Sequence, residues 1–168
     1  MSTLKPTLID DLSEMLGGSI GAVFTTVLDL AVESAPESQF RLAAGETVVC
    51  GTVGFIGEVE GMIHVSVAAT AARSLALRML ALEPTGAVDD RMVDDVIGEL
   101  GNMAVGAVKS LLCDRELPCE LTIPQVRRAS AVRALRTPPV ESRRISLACE
   151  FGTLLVDIEV EDRRPKFA

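Results

Sequence analysis

The chain has 168 residues, which is within the usual size of one compact domain that buries a core without disulfides or metal ions. Nearly half of the residues are apolar, but the aromatic residues are five Phe with no Trp or Tyr, so aliphatic side chains must build the core. The formal net charge of −8 disfavours nucleic acid and anionic membranes as partners, because both attract proteins through clustered Lys and Arg. We therefore expect one domain, residues 1–168, that binds other proteins.

The N-terminus and the cysteines both bear on the cellular location. The first residues, MSTLKPTLIDDLSEM, contain one Lys and no apolar segment, which is not typical of a signal peptide. The longest apolar stretch, at residues 19–32, is interrupted by polar residues and is too short to span a bilayer. The four cysteines are scattered, with no C-x-x-C pair and no histidine at metal-ligand spacing. We expect a cytoplasmic protein with reduced thiols.

The first half of the chain predicts a helix, a β-hairpin and a second helix. Thr7 and Asp10 have the spacing of a capping box, and apolar residues then recur at helical spacing to about residue 30. Residues 46–67 are rich in Val, Thr, Ile and Gly, which is typical of two strands joined as a hairpin. Residues 69–82 are good helix formers and end before a proline, which cannot continue a helix.

The second half predicts the same order of helix and hairpin. Residues 89–112 have helical periodicity, with acidic residues in the first turn that complement the helix dipole. Residues 117–126 have extended character interrupted by two prolines, as in an edge strand. Residues 127–143 contain five arginines and a Pro-Pro pair, which favours a solvated surface loop. Residues 144–151 and 153–161 alternate apolar and polar residues and predict a second hairpin, turned at the glycine between them.

The two long helices also share residues at matching positions. The matched pairs are Asp10 and Asp95, Glu14 and Glu99, Gly21 and Gly106, Ala22 and Ala107, and Val23 and Val108. A unit of helix plus hairpin used twice would explain this similarity, and the alternative is that helices packed on sheets share small residues by necessity. We predict an α/β (α+β) fold with a pseudo-two-fold repeat of helix plus β-hairpin, in which long helices pack on an antiparallel-rich sheet. The first helix has Gly17 where the second has Asn102, so chemistry that requires the amide has one site.

One narrow polar stripe runs along the helix at residues 89–112. Successive helical residues are rotated by about 100°, which brings a set of polar residues and glycines onto one arc. The set is Asp95, Gly98, Glu99, Asn102, Gly106 and Lys109, here called the polar stripe. Glycine costs about 1 kcal/mol relative to alanine inside a helix, so these glycines need a structural reason. Gly98 and Gly106 would let another surface approach the backbone, whereas Gly101 points inward and would allow close packing on the sheet.

The sequence around the polar stripe resembles a known family. The segment VDDVIGELGNMAVGAVKS, residues 93–110, is similar to the signature helix of the CheX/CheC/FliY-type chemotaxis phosphatases, in which a Glu is followed three residues later by an Asn. The segment VGFIGEVEGMIHVSV, residues 53–67, resembles the first hairpin of that family, and LTIPQV, residues 121–126, resembles its extended segment. The resemblance covers roughly the whole chain in the same order. A single motif-bearing helix favours CheX over CheC, which typically has two.

The resemblance implies a phosphatase that acts on the aspartyl phosphate of a CheY-like receiver domain, the phosphorylated part of a response regulator. Glu99 and Asn102 would be its catalytic residues. Asn102 would orient the attacking water, as a glutamine does in regulatory GTPases. Glu99 would pair with the active-site lysine of the receiver, and a general-base role for Glu99 is the alternative.

The resemblance also implies the remaining partners and cofactors. The receiver would supply the Mg²⁺ at its own phosphorylation site, so we expect no metal or other cofactor on this chain. The predicted partner-binding residues are Asp95, Gly98, Gly106 and Lys109. Asp95 and Lys109 are equally well explained as ordinary charges near helix ends. Members of the family often form homodimers, and we expect a homodimer on that ground alone.

Two hypotheses from other classes stay open, a binding module without useful turnover and a structural component of a flagellar switch. Three further features predict no chemistry. GTVGFIG at residues 51–57 lacks the strand–loop–helix context of a phosphate-binding loop. His64, the single histidine, points away from the core face of its strand and is predicted to lie at the surface. The arginines of residues 127–144 are predicted to stay solvated.

Overall fold

The computed structural model describes residues 7–137 and 140–165, which form a seven-stranded antiparallel sheet and three α-helices. The helices are α1 (Leu8–Thr26), α2 (Ala69–Met79) and α3 (Asp90–Asp114). The strands are β1 (Glu33–Ser34), β2 (Val48–Gly57), β3 (Val59–Ala68), β4 (Cys119–Leu121), β5 (Gln125–Ala129), β6 (Glu141–Cys149) and β7 (Gly152–Asp162). The strand order is β1-β6-β7-β3-β2-β4, and β5 also pairs with β2. The predicted fold class is confirmed.

The two hairpins meet at the centre of the sheet. Their second strands, β3 and β7, pair with each other, so that Ile63 lies opposite Ile158 and Val65 lies opposite Val156. The first strands, β2 and β6, lie on the outside of this pair. α1 packs beside β6 and α3 packs on β2, so each long helix covers the hairpin of the other half. This arrangement agrees with the predicted pseudo-two-fold repeat.

The ends of the first two helices follow local rules. The predicted capping box is present, since the Thr7 and Asp10 side chains each accept from the other residue's backbone N–H. α1 ends at Thr26, earlier than predicted, and the chain then turns through Asp29 at a φ of 50°. α2 also ends earlier than predicted, because Ala81 adopts a φ of 53° and the N–H of the next residue bonds back to the helix, as in a Schellman motif.

α3 packs unusually close to the sheet through two glycines. A Cβ on Gly51 of β2 would lie 2.9 Å from the Ile97 Cγ2 methyl, and a Cβ on Gly101 would lie 3.0 Å from a methyl of Val53. The inward position predicted for Gly101 is therefore confirmed. Among the helices of the described ranges, only α3 is long and apolar enough to cross a membrane, judged by length and composition alone. Half of its most apolar 18-residue stretch is buried inside the protein. Its contacts with α1 and β2 account for that composition.

The extended segment after α3 forms two short strands where the sequence predicts one. β4 pairs with residues 55–57 of β2, and β5 pairs with residues 48–52 of the same strand. Pro124 lies in the interruption between them, since it has no N–H to donate to the ladder. Thr122 still fastens this interruption to β2, because its N–H donates to the Gly54 carbonyl at 2.9 Å.

The face of the sheet away from α1 and α3, here called the outer face, carries buried charges. Asp157 and Glu159 of β7 are 1% and 2% exposed. Arg144 holds Asp157 in a two-pronged hydrogen bond of 2.6 and 2.8 Å, and Arg133 holds Glu159 at 2.7 Å. The prediction that the arginines of residues 127–144 are solvated is wrong for these two, because buried carboxylates require cationic partners.

His64 is also buried in the outer face, and the prediction that it lies at the surface is wrong. It does point away from the helices, but it is only 5% exposed. The Thr52 hydroxyl shares a hydrogen bond of 2.8 Å with its Nδ1, and a Glu159 oxygen lies 3.7 Å from its Nε2. Burial lowers the pKa of His64 below its ordinary 6.5, and the positive charge of Arg133 adds to this effect while Glu159 opposes it.

Two glycines of α3 provide a matched test of the close packing. We expect Gly106→Ala to raise the free energy of unfolding by about 0.5–1 kcal/mol, since the added methyl meets open space and helix propensity improves. Gly101→Ala gains the same propensity but presses on Val53, so we expect a net loss of about 1 kcal/mol or more. Urea denaturation measures both, and an equal stabilisation by the two changes would contradict the packing described.

The buried histidine predicts a pH dependence of stability. Because the pKa of His64 is lower in the folded chain, the unfolded chain takes up the proton first as the pH falls through about 6.5. The free energy of unfolding should therefore decrease on acidification from about pH 7.5 to 5.5, and less steeply in His64→Gln. Urea denaturation at several pH values measures the two slopes. Equal slopes would show that His64 does not titrate differently on folding.

Candidate functional site

The polar stripe lies on the outward side of α3, and the helix is fixed at its start. The Asp89 carboxylate caps α3 by accepting from the Met92 N–H at 2.8 Å. Arg128 of β5 then reaches across to the first turns of the helix, where it lies 3.5 Å from Asp90 and 2.8 Å from Asp94. The residues of the stripe are therefore presented by a helix that is held both from below by the sheet and from the side by β5.

The charges of the polar stripe differ from the acidic residues around them. Asp10 and Asp11 of α1 are paired with Arg143 and Arg115, and Asp94 is paired with Arg128. The polar side chains of the stripe, in contrast, have no hydrogen bond or ion pair with any other side chain in the described part of the chain. These side chains are Asp95, Glu99, Asn102 and Lys109. They remain available to an external partner.

Glu99 and Asn102 are neighbours in the middle of the stripe. They are three residues apart on α3, so their Cβ atoms are about 5–6 Å from each other on one face. Glu99 is exposed and Asn102 is half-buried, which leaves the carboxylate mobile in solvent and limits the rotamers of the amide. A carboxamide accepts through its oxygen and donates through its nitrogen, so it is able to hold a water and a second oxygen at the same time.

The two glycines of the stripe have different surroundings. A Cβ on Gly106 would meet nothing within 4 Å, which agrees with the predicted open backbone. Gly98 is buried, and a Cβ there would lie 3.5 Å from Pro124 and 3.9 Å from Val126. The prediction that Gly98 opens the stripe to another surface is therefore wrong, because the chain's own segment between β4 and β5 covers it. Asp95 and Lys109 are exposed at the two ends of the stripe.

Residues 119–128, here called the flanking segment, run alongside α3 in the opposite direction. Near its start, burial raises the pKa of the Cys119 thiol and the nearby charge of Lys109 opposes that rise. Pro124 lies on Gly98, and Arg128 reaches Asp94 at the end of the segment. The flanking segment therefore forms a second wall beside the polar stripe. The sequence predicts an extended segment here but does not place it at the site. The signal it offers is the prolines, which interrupt strand pairing and favour a different contact.

α1 carries the counterpart of the site on the other half of the fold. Glu14, which matches Glu99, is exposed, and Gly21, which matches Gly106, has open space around it. Gly17 occupies the place of Asn102 and lies near Ile145, with 3.7 Å between an added Cβ and that side chain. α1 thus presents a carboxylate at the equivalent position but no amide.

Comparison with known proteins gives a consistent assignment. A protein-family model described as "Chemotaxis phosphatase CheX" matches residues 49–150. Comparison with curated protein sequences gave no match.

Several solved structures share the fold at low sequence identity. A chemotaxis protein CheX from Vibrio vulnificus has a TM-score of 0.72 and 18% identity, over 95% of this chain and 100% of that chain. A CheC-like superfamily protein from Shewanella sp. PV-4 has a TM-score of 0.73 and 21% identity, over 90% of this chain and 97% of that chain. A chain of the CheX–CheY–BeF3–Mg²⁺ complex from Borrelia burgdorferi has a TM-score of 0.69 and 19% identity, over 90% of this chain and 98% of that chain.

The region matched by the family model extends from β2 to the end of β6 and includes all of α3 with the polar stripe. It covers more than half of the chain, and the structural matches cover nine-tenths of it or more. The chain belongs to the CheX family of chemotaxis phosphatases.

Proposed function

We propose that this chain hydrolyses the aspartyl phosphate of a CheY-like receiver domain, with Asn102 and Glu99 as its catalytic residues. The observation that carries the proposal is the unpaired Glu99 and Asn102 on a helix that β2 and β5 hold in place, in a chain of the CheX family. The Borrelia burgdorferi relative, whose structure contains CheY, BeF3 and Mg²⁺, supports the choice of partner.

In the proposed reaction, the main contribution of this chain is to position side chains around the phosphoryl group. A water attacks the phosphorus in line, and the bond from phosphorus to the aspartyl oxygen breaks and leaves a carboxylate on the receiver. Because a carboxylate is a good leaving group, the barrier is lowered mainly by orienting the water and stabilising charge. Asn102 would accept a hydrogen bond from the water through its amide oxygen and donate a hydrogen bond to a phosphoryl oxygen through its nitrogen. The Mg²⁺ belongs to the receiver in this proposal.

Glu99 would fix the depth to which Asn102 enters the receiver. Its carboxylate is exposed and free of partners within the described residues, so it is able to pair with a lysine of the receiver without breaking an internal contact. Asp95 and Lys109 would contact the receiver at the ends of the polar stripe, and the open backbone at Gly106 would let it approach closely. Gly98 would act indirectly, by seating Pro124 beside the stripe. We also propose a cytoplasmic location, from the scattered cysteines, and a homodimer, from family resemblance alone.

The decay of phosphate from a panel of purified, phosphorylated receivers tests the proposal. We expect faster decay for at least one receiver, and we expect Asn102→Ala to reduce the rate at saturating receiver by at least about 100-fold, since orientation of the water is lost. The same variant should bind the receiver activated with beryllofluoride nearly as well as the wild type. Glu99→Gln should weaken that binding only about 2–5-fold, since an exposed charged contact contributes at most about 1 kcal/mol.

Glu14→Gln is the matched control, because it removes the same charge from the equivalent position of α1. We expect it to change neither binding nor turnover. If no receiver in a complete panel loses phosphate faster, the enzyme proposal fails, and if a receiver still binds, a binding module without turnover takes its place. If Glu14→Gln acts like Glu99→Gln, the effect is one of net charge and not of the stripe.

A further inference from the structure

The side chain of Ile123, in the middle of the flanking segment, is 86% exposed, the highest value among the exposed large hydrophobic side chains of the described residues. Single exposed apolar residues are common on protein surfaces and by themselves indicate nothing. Ile123 differs from such residues in how firmly its backbone is held and in what lies beside it.

The residues on both sides of Ile123 are fixed. Thr122 makes two hydrogen bonds with Gly54 of β2: its N–H donates to the carbonyl at 2.9 Å, and its hydroxyl accepts from the N–H at 2.7 Å. Pro124 lies on Gly98 of α3, 3.5 Å from the position of a Cβ there. The backbone of Ile123 is therefore pinned between the sheet and the motif helix. Because this backbone is already ordered, binding of a partner to the exposed side chain costs little further backbone entropy.

The position of Ile123 along α3 follows from the run of the flanking segment. The segment passes Lys109 near its start and Asp94 at its end, and Pro124 marks the level of Gly98. Asn102 lies one helical turn from Gly98, so Ile123 is at the level of the catalytic pair. Leu121, two residues earlier, is 38% exposed and pairs with Phe55, whose side chain lies on the helix side of the sheet. Leu121 and Ile123 are the exposed large apolar residues of the flanking segment and are here called its apolar edge.

A receiver seated on the polar stripe would extend over this edge. The stripe from Asp95 to Lys109 is about 21 Å long, because each helical residue rises 1.5 Å. A standard protein interface buries about 800 Å² on each partner, which is wider than a single helix face. The footprint of such a receiver would therefore reach beyond α3 and onto the flanking segment that runs beside it.

The stripe also lacks an apolar contact of its own. Exposed carboxylates and an exposed lysine steer and orient a partner, but ion pairs in water contribute little affinity and are screened by salt. The residues that dominate binding in protein interfaces are mostly large side chains that become fully desolvated. Among the exposed large hydrophobic side chains of the described residues, only Leu121 and Ile123 belong to the segment that runs alongside the stripe, and Ile123 is the more exposed.

We propose that Ile123, with Leu121 at its side, is the apolar anchor that docks the receiver, and that it contacts an apolar patch next to the receiver's phosphorylation site. This inference rests on the proposed function. It assigns affinity to the flanking segment and chemistry to α3. Ile123 therefore determines the affinity for the receiver, and hence KM, whereas Asn102 determines kcat.

Ile123→Ser tests the anchor. We expect its KM, and its dissociation constant for a beryllofluoride-activated receiver, to rise about 10–100-fold, as loss of a buried aliphatic side chain requires. The kcat at saturating receiver should stay unchanged, which is the opposite of the expected effect of Asn102→Ala. Ile123→Leu should retain the affinity. The loss in Ile123→Ser should persist at high salt, whereas the loss in Glu99→Gln should shrink.

Ile56→Ser is the matched control, because Ile56 is 57% exposed on the outer face of the sheet. It should bind the receiver like the wild type, and urea midpoints of both serine variants should match the wild type. If the wild type turns over a receiver and Ile123→Ser has an unchanged KM and affinity, the anchor is overturned and the proposed function stands. If no receiver binds the wild type, both are overturned. If Ile56→Ser weakens binding as much, the receiver sits elsewhere and the anchor is overturned.

Discussion

The close contact between α3 and β2 is the constraint on which the rest of the structure depends. Gly51 and Gly101 bring the helix so near the sheet that a methyl group at either position would collide with Ile97 or Val53. This closeness buries the apolar side of α3 and leaves its polar stripe as the exposed remainder. It also brings the flanking segment within reach of the helix, so that Pro124 is able to cover Gly98. The site is therefore a consequence of how one helix packs.

The distribution of ion pairs separates structure from function in this fold. Asp94 of α3 and Asp10 of α1 are neutralised by arginines of β5 and β6, and the buried carboxylates of β7 are held by Arg133 and Arg144. Charges that hold the fold together are thus paired. Glu99 has no such partner within the described residues, so a contact with another protein would break no internal ion pair. The pseudo-two-fold arrangement sharpens this contrast, because α1 repeats the carboxylate at Glu14 and lacks the amide.

Much of the fold was predictable from the sequence because its signals are local. The Thr7 cap, the two hairpins and the inward position of Gly101 follow from short patterns, and all of them are present. The family motif on α3 was likewise contained in a few consecutive residues. These features depend on the neighbours in the chain and on the helical or strand period, which the sequence displays directly.

The wrong predictions concern whether a residue is covered by other parts of the chain, which the periodicity of a strand or helix does not show. The alternation around His64 correctly indicated the side of the sheet to which it points, but not that this side is buried by residues far away in the chain. The same reason explains Arg144, whose buried partner Asp157 lies on the next strand, and Gly98, which is covered by Pro124. The exposure of Ile123 was hidden in the same way, because it is a property of the folded chain.

The structure of this protein bound to a receiver activated with beryllofluoride and Mg²⁺ would show directly which surface the receiver occupies. We expect the polar stripe of α3 to lie over the phosphorylation site of the receiver, with the Asn102 amide within hydrogen-bonding distance of the in-line water. Ile123 would then be buried against the receiver at the edge of the same interface. A complex in which the receiver binds α1 or the outer face of the sheet, with Glu99 and Asn102 left in solvent, would contradict this expectation.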